Sequence, residues 1–316
     1  MDLPRVPLPD EDVAEMLAAL TRRFDDFVAR AAVRRSPHTI RWYRAAFARY
    51  RRYLAGAGAT PATVRARLLD LDGWVDWNLT NGVSHIATNT YWRALRPFFN
   101  DWEATDGAPN PYRTHRAPRF NPAPPKALSR EHCARILLTA ANYPRWDTFQ
   151  RARAAAVLGV MLYAGLRRGE ALGLLNGDVN FEHGELRVAR GKGAFGGKTR
   201  FVPMNADLLR LVRAYQRERE RRGLDGAPEF FVSTRSRAGL SGSGLHLIVR
   251  AVVRGSGVAF SPHALRHSFV THLLRAGVPL YMARDLAGHS HIETTLIYTK
   301  VFPKDRHDSV RKLSFE

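Results

Sequence analysis

One helical turn in the stretch SPHALRHSFVTHLL, residues 261–274, carries His263, Arg266 and His267. Helices usually bury apolar faces and leave charge in water, so three cationic or titratable groups on one turn need a reason. Two histidines four apart can share a metal ion. The chain has no HExxH pattern, no carboxylate ligand is evident near this turn, and Arg266 would repel a cation. A guanidinium flanked by imidazoles suits a phosphate oxygen better, because it offers a rigid fork of donors. No metal and no cofactor is expected here. The plainer alternative is an exposed basic face.

Three other stretches hold comparable chemistry. AGLRRGEALGL, residues 164–174, places Arg167 three residues before Glu170 at a helix start, a pairing that is commonly structural. GKGAFGGK, residues 191–198, sets Lys192 on a glycine-rich tip from which an ammonium group could reach a phosphate; a plain turn lysine is the alternative. AGHSHIETTLIYTK, residues 287–300, follows the helix stop Gly288 with His289 on a turn and Tyr298 in an apolar setting. A lone tyrosine in that setting ordinarily belongs to a core.

Charge points the same way. Lys and Arg total 49 against 29 Asp and Glu, a formal net charge of +20 in 316 residues, and the sequence pI is about 11.0. With 45% hydrophobic residues the chain can build real cores, which separates it from a disordered basic tail. A folded protein this basic usually meets a polyanion, nucleic acid first. A ribosomal or heparin-type binder, or a simple arginine bias, would give the same totals. The single cysteine, Cys133, excludes an intrachain disulfide and suits a small buried residue. Neither a secretory segment nor a membrane-length apolar run is visible. A cytoplasmic, nucleoid-associated protein is expected.

The elements that must carry these groups are mainly helical. After a Pro-rich start, Val13, Met16, Leu17, Leu20 and Phe24 fall on one helical face. Ser36 is a good N-cap with Pro37 at the first helical position, opening SPHTIRWYRAAFARYRRYL. There Ile40, Tyr43, Phe47, Tyr50 and Leu54 keep helical spacing while Arg41, Arg44, Arg49, Arg51 and Arg52 take other faces. Helical patterns follow from Pro61 and from Ser84, and this domain is expected to span residues 1–108. Residues 109–125, PNPYRTHRAPRFNPAPP, hold six prolines and read as an extended basic linker that could lie along a duplex. Arg113, Arg116 and Arg119 on it, with Arg41 and Arg44, are candidate DNA contacts, mostly to phosphate. A second domain, residues 126–316, begins with Ser129 capping a helix. DVNFE, GELRVAR and KTRFVPM alternate with period two and predict a small three-stranded antiparallel sheet. Helical patterns return after Asn205 and continue nearly to the end.

Taken in order, Arg167, Lys192, His263-x-x-Arg266, His289 and Tyr298, in the contexts GLRRGEAL, GKG, SPHALRHSFVTHLL and GHSHIETTLIYTKV, resemble the tyrosine recombinase family of phage integrases and Xer proteins. SPHTIRWYRAAFARYRRYL and TNTYWRALRPFFNDW are similar to that family's helical core-binding domain, so the resemblance covers nearly the whole chain. It implies a mainly α, two-domain fold: a SAM-like helical core-binding domain, then an α-rich catalytic domain with the small sheet.

The resemblance also implies the chemistry. Tyr298 would attack a DNA phosphate to give a 3′-phosphotyrosine and a free 5′-hydroxyl. Arg167 and Arg266 would stabilise the transition state's charge. Lys192 would protonate the leaving oxygen, His263 would assist proton transfer at the tyrosine, and His289 would bond a phosphate oxygen. Glu170 would support by orienting its neighbours, and His267 would be structural. The loop after Lys192 is longer than the family's common turn, which leaves Lys198 as the other candidate acid. Arg168 adds a second arginine beside the first. The expected partner is double-stranded DNA with an inverted-repeat core site. The expected assembly is a homotetramer, with room for a paralogue, joined through the tail after Tyr298, where Val310, Leu313 and Phe315 form an apolar edge. No extra arm-binding domain is visible, which favours an Xer-like or simple plasmid or phage recombinase. A type IB topoisomerase, a silent DNA-binding regulator and a metal-dependent nuclease are the competing readings.

Overall fold

The computed structural model describes residues 7–9, 12–118, 127–189 and 199–288. The chain divides into two compact units, Met1–Ala123 and Pro124–Glu316. Both are mainly helical, and no helix among the described residues is long and apolar enough to cross a membrane. Lys192, Lys198, His289, Tyr298, Arg119 and the tail lie outside the described residues.

The first unit is built from α1 (Val13–Ala32), α2 (Pro37–Leu54), α3 (Pro61–Leu69), α4 (Leu71–Thr80) and α5 (His85–Asp106). Each opens on a side chain that accepts an otherwise unpaired backbone N–H: Asp12, Ser36, Thr60, Asp70 and Ser84. The one helical pattern expected from Pro61 is thus two helices. Asp70 ends the first and caps the second, its carboxylate accepting from Gly73 N–H at 2.8 Å. The core is aromatic. Phe24 and Phe47 stack at 3.8 Å between ring centroids, and Phe98 meets both edge-on.

The expected linker begins later than residue 109. Pro111–Arg113 forms a short 3-10 turn, with Tyr112 buried against Trp92 and Phe99. Its hydroxyl donates to Trp92 O at 2.7 Å. The buried ring and its hydroxyl bond tie residues through Tyr112 to the first unit.

In the second unit, α6 (Arg130–Asn142) starts at Ser129, as its cap predicts. It leads to α7 (Thr148–Tyr163), whose stretch from Arg153 to Leu162 is buried without a break. Helices α6, α9 (Ala206–Arg221) and α11 (Pro262–Arg275) surround it. A helix that is apolar on every side has to be central. The short α8 (Arg168–Leu172) follows. The sheet has β1 (Val179–Asn180), β2 (Glu185–Val188) and β3 (Arg200–Pro203) in that order, both pairs antiparallel. Leu186, Val188 and Val202 are its buried side, and Phe201 is exposed. Helices α10 (Gly242–Ser256) and α12 (Leu280–Ala287) are its other helices among the described residues.

Candidate active site

Gly165 makes the turn that sets the site. It ends α7 at φ +64°, and a Cβ there would lie 2.2 Å from the Phe269 ring. The backbone can therefore press against α11 only because this residue is glycine. Its carbonyl accepts from Arg266 Nη1 at 2.5 Å. Two residues on, Arg167 is the N-cap of α8.

Glu170 lies at the centre. Its carboxylate accepts the Arg167 backbone N–H at 2.8 Å and Arg167 Nη1 at 2.7 Å. Arg200, the first residue of β3, reaches both carboxylate oxygens, at 3.1 and 2.8 Å. Arg266 Nη1 stands 3.8 Å from the same group. Burial of Glu170 works against its charged form, but the hydrogen bond from Arg200, then that from the Arg167 backbone, outweigh it and hold the carboxyl at about 2. Among the described residues the site therefore keeps one negative charge among three guanidiniums.

The same arginines fasten the end of α12. Arg167 Nη2 donates to Gly288 O at 2.7 Å, and Arg200 Nε donates to Leu286 O at 2.9 Å. Gly288 caps α12 in the left-handed region at φ +65°, where a Cβ would meet the Arg200 guanidinium at 2.7 Å. Exposure grades outward. The Arg266 side chain is 4% exposed, Arg200 11% and Arg167 41%.

The structure thus brings Arg167 and Glu170 together, as their spacing suggested, and sets Arg266 beside them. His263 sits exposed in the first turn of α11, and His267 is buried one turn later. Among the described residues no three His, Cys, Asp or Glu side chains group closely enough to hold a metal ion. Arg200 is the member that sequence reasoning missed. A signal for it exists: it shares the strand face of Val202, which is buried, and an inward-facing arginine on a half-buried strand needs a carboxylate.

The candidate DNA contacts of the first unit differ in availability. Arg41 and Arg116 are exposed. Arg44 is exposed with Asp25 at 3.1 Å, a pair that water and salt screen. Arg113 is bound by Glu103 through Nε and Nη2, the latter at 2.7 Å. That hydrogen bond also holds the Glu103 carboxyl below its usual range.

Comparison with known proteins places this geometry in a family. Residues 127–305 match the phage integrase family. The tyrosine recombinase XerA of Thermococcus kodakarensis is 34% identical over 270 residues, spanning 84% of this chain and 86% of that protein. The tyrosine recombinase XerC of Chromobacterium violaceum is 31% identical over 285 residues, 88% of each. A solved structure of the XerH site-specific recombinase, bound to palindromic difH substrate in a post-cleavage complex, aligns over 98% of both chains. The TM-score is 0.72 at 18% identity, a likeness of fold. With a family match over more than half its length and relatives above 30% identity along most of it, the chain belongs to the phage integrase family of tyrosine recombinases.

Proposed function

We propose that this protein is a site-specific recombinase that cuts and rejoins double-stranded DNA through a 3′-phosphotyrosine. The observation that carries the reading is the convergence of Arg167 and Arg266, from α8 and α11, on one ionised carboxylate. Guanidiniums fixed in advance are what a pentacoordinate phosphorus needs as its charge builds. Tyr298 Oη attacks the scissile phosphate and the bond to the 5′-oxygen breaks. Lys192 gives that oxygen its proton, with Lys198 the other candidate. His263 takes part in the proton transfer at the tyrosine, and His289 bonds a non-bridging oxygen. One phosphodiester is exchanged for another, so reversal by a 5′-hydroxyl of the partner duplex rejoins the strands without ATP. Glu170 keeps Arg167 in place, and no metal or cofactor enters.

In this reading the first unit binds the core site and the second cuts it. Four subunits act on two inverted-repeat sites through a Holliday junction, each tail docking on its neighbour, in the nucleoid. A paralogue could fill half of the positions.

The test is a covalent trap. The protein is mixed with nicked genomic fragments of its host, denatured in detergent, and the DNA still attached is sequenced, with Tyr298→Phe alongside. Attached DNA sharing one inverted-repeat core, absent with the variant, is the expected result. Attachment that survives Tyr298→Phe would sink the nucleophile assignment. Removing residues 306–316 should lower tetramer formation on DNA; unchanged assembly would refute tail docking.

A further inference from the structure

We infer that Arg200 is a positioning residue of the cleavage reaction, joining the start of β3, Arg167 and the end of α12 into one unit through Glu170. The inference rests on the functional reading above. Three elements that are distant in the chain, β3, α8 and α12, meet at this one side chain. Arg200 is the first paired residue of β3, opposite Val188, and residues 190–198, with both candidate lysines, lie between these two strands in sequence. Its guanidinium spans both oxygens of Glu170 and also takes Leu286 O. Glu170 holds Arg167, and Arg167 holds Gly288 O. These bonds form a closed circuit from β3 to α8 to the cap of α12, and the residue after that cap is His289.

All three guanidinium nitrogens of Arg200 donate to protein acceptors. Arg200 is 11% exposed, so its part is to fix the groups around it, not to touch a phosphate. Lysine cannot substitute. An ammonium group is a point charge on a flexible stem, while the Arg200 fork serves three acceptors from three separate nitrogens. Gly288 belongs to the same device, since any side chain there would displace the guanidinium.

Single-turnover cleavage of a nicked duplex carrying the trapped core sequence tests this, on the full-length protein with Arg200→Ala and Arg200→Lys. Both variants should bind that duplex within about threefold of the parent yet cleave about 100-fold more slowly, the scale of a misplacement near 1 Å. The pH profile separates positioning from simple loss of fold. Glu170 is faced by Arg167 from the start of α8, Arg200 from β3 and Arg266 from α11. Removing Arg200 takes away the strongest influence that lowers its pKa. The Ala variant should therefore gain an acid limb in its cleavage profile that disappears when Glu170→Gln is added. Cleavage at the parent rate, or a loss that is wholly one of binding, would overturn the proposal. A second readout needs no cleavage at all. Carboxyl ¹³C titration of Glu170, assigned by its absence in Glu170→Gln, should move to higher pH in Arg200→Ala and in Arg200→Lys. An unmoved titration refutes the circuit even if the protein never cuts DNA, and attachment insensitive to Tyr298→Phe refutes the functional reading instead.

Discussion

Replacing Glu170 by glutamine should cost more stability than any change on the surface of the second unit, and with a particular pH dependence. The carboxyl is held at about 2 against an ordinary 4.5. At about 1.4 kcal/mol per unit, the fold favours its charged form by roughly 3 kcal/mol. Glutamine keeps the shape but removes the charge, and its amide donor is turned among three guanidiniums. Breaking a buried pair from one side costs about 3–5 kcal/mol, so two routes agree near 3. For a unit of this size that lowers the melting temperature by about 6–12 °C. Because the folded-state pKa is depressed, the contribution is complete above 4.5 and is lost as pH falls through about 2. Denaturant midpoints of parent and variant should differ almost fully at pH 5 and by about two-fifths of the full amount at pH 3. A gap that stays constant from pH 7 to pH 3 would refute the carboxylate as the centre of the site. So would a variant that melts within 1 °C of the parent at pH 7, on the scale of about 2–4 °C per kcal/mol.

Two further expectations concern other parts of the chain. Gly165→Ala forces a side chain to φ +64° and into the Phe269 ring; left-handed strain and overpacking together should cost about 2–5 kcal/mol in urea unfolding, and a loss below 0.5 kcal/mol, about that of a neutral surface change, would contradict the turn. In salt titrations of DNA binding, Arg116→Ala should reduce the slope of log affinity against log salt by about one phosphate's worth. Arg113→Ala should change it far less, because Glu103 already neutralises that side chain; equal effects of the two would show that the pair opens on DNA.

Local signals carried the elements and failed where chain segments meet. Ser36, Ser129 and Gly165 were readable because a cap or a left-handed turn is a property of a few adjacent residues. The sheet was readable because Leu186, Val188 and Val202 keep period two. The break at Asp70 was missed since one residue both ends and begins a helix, leaving no gap in the apolar pattern. Prolines around Tyr112 mark a linker in the sequence, while the partner that buries its ring lies in α5, about twenty residues earlier. Residues 222–241 show the same limit. The helical pattern expected to continue through them gives no helix there, and Phe230, Phe231 and Val232 are fully buried in irregular chain. Tyr215 accepts the Val232 N–H and Arg153 donates to its carbonyl, so side chains replace the missing ladder.

The arginine site shows why a structural and a chemical reading of Arg167 and Glu170 were never exclusive. Three guanidiniums held close together repel, and in a half-buried pocket that repulsion is weakly screened. A site without a counter-charge would have its arginines splayed until DNA arrived, and binding would then have to bring them together. One carboxylate removes most of that cost before any phosphate is present. Its placement matters as much as its charge. It faces Arg200 and Arg266, which are nearly closed to solvent, while Arg167 is the most exposed of the three. Arg200 is thus held by protein on all three nitrogens, and the most exposed cation, Arg167, stands at the open side. On the proposed function that is where a phosphate enters, so the pair that looks merely structural is what makes the anion site rigid in advance.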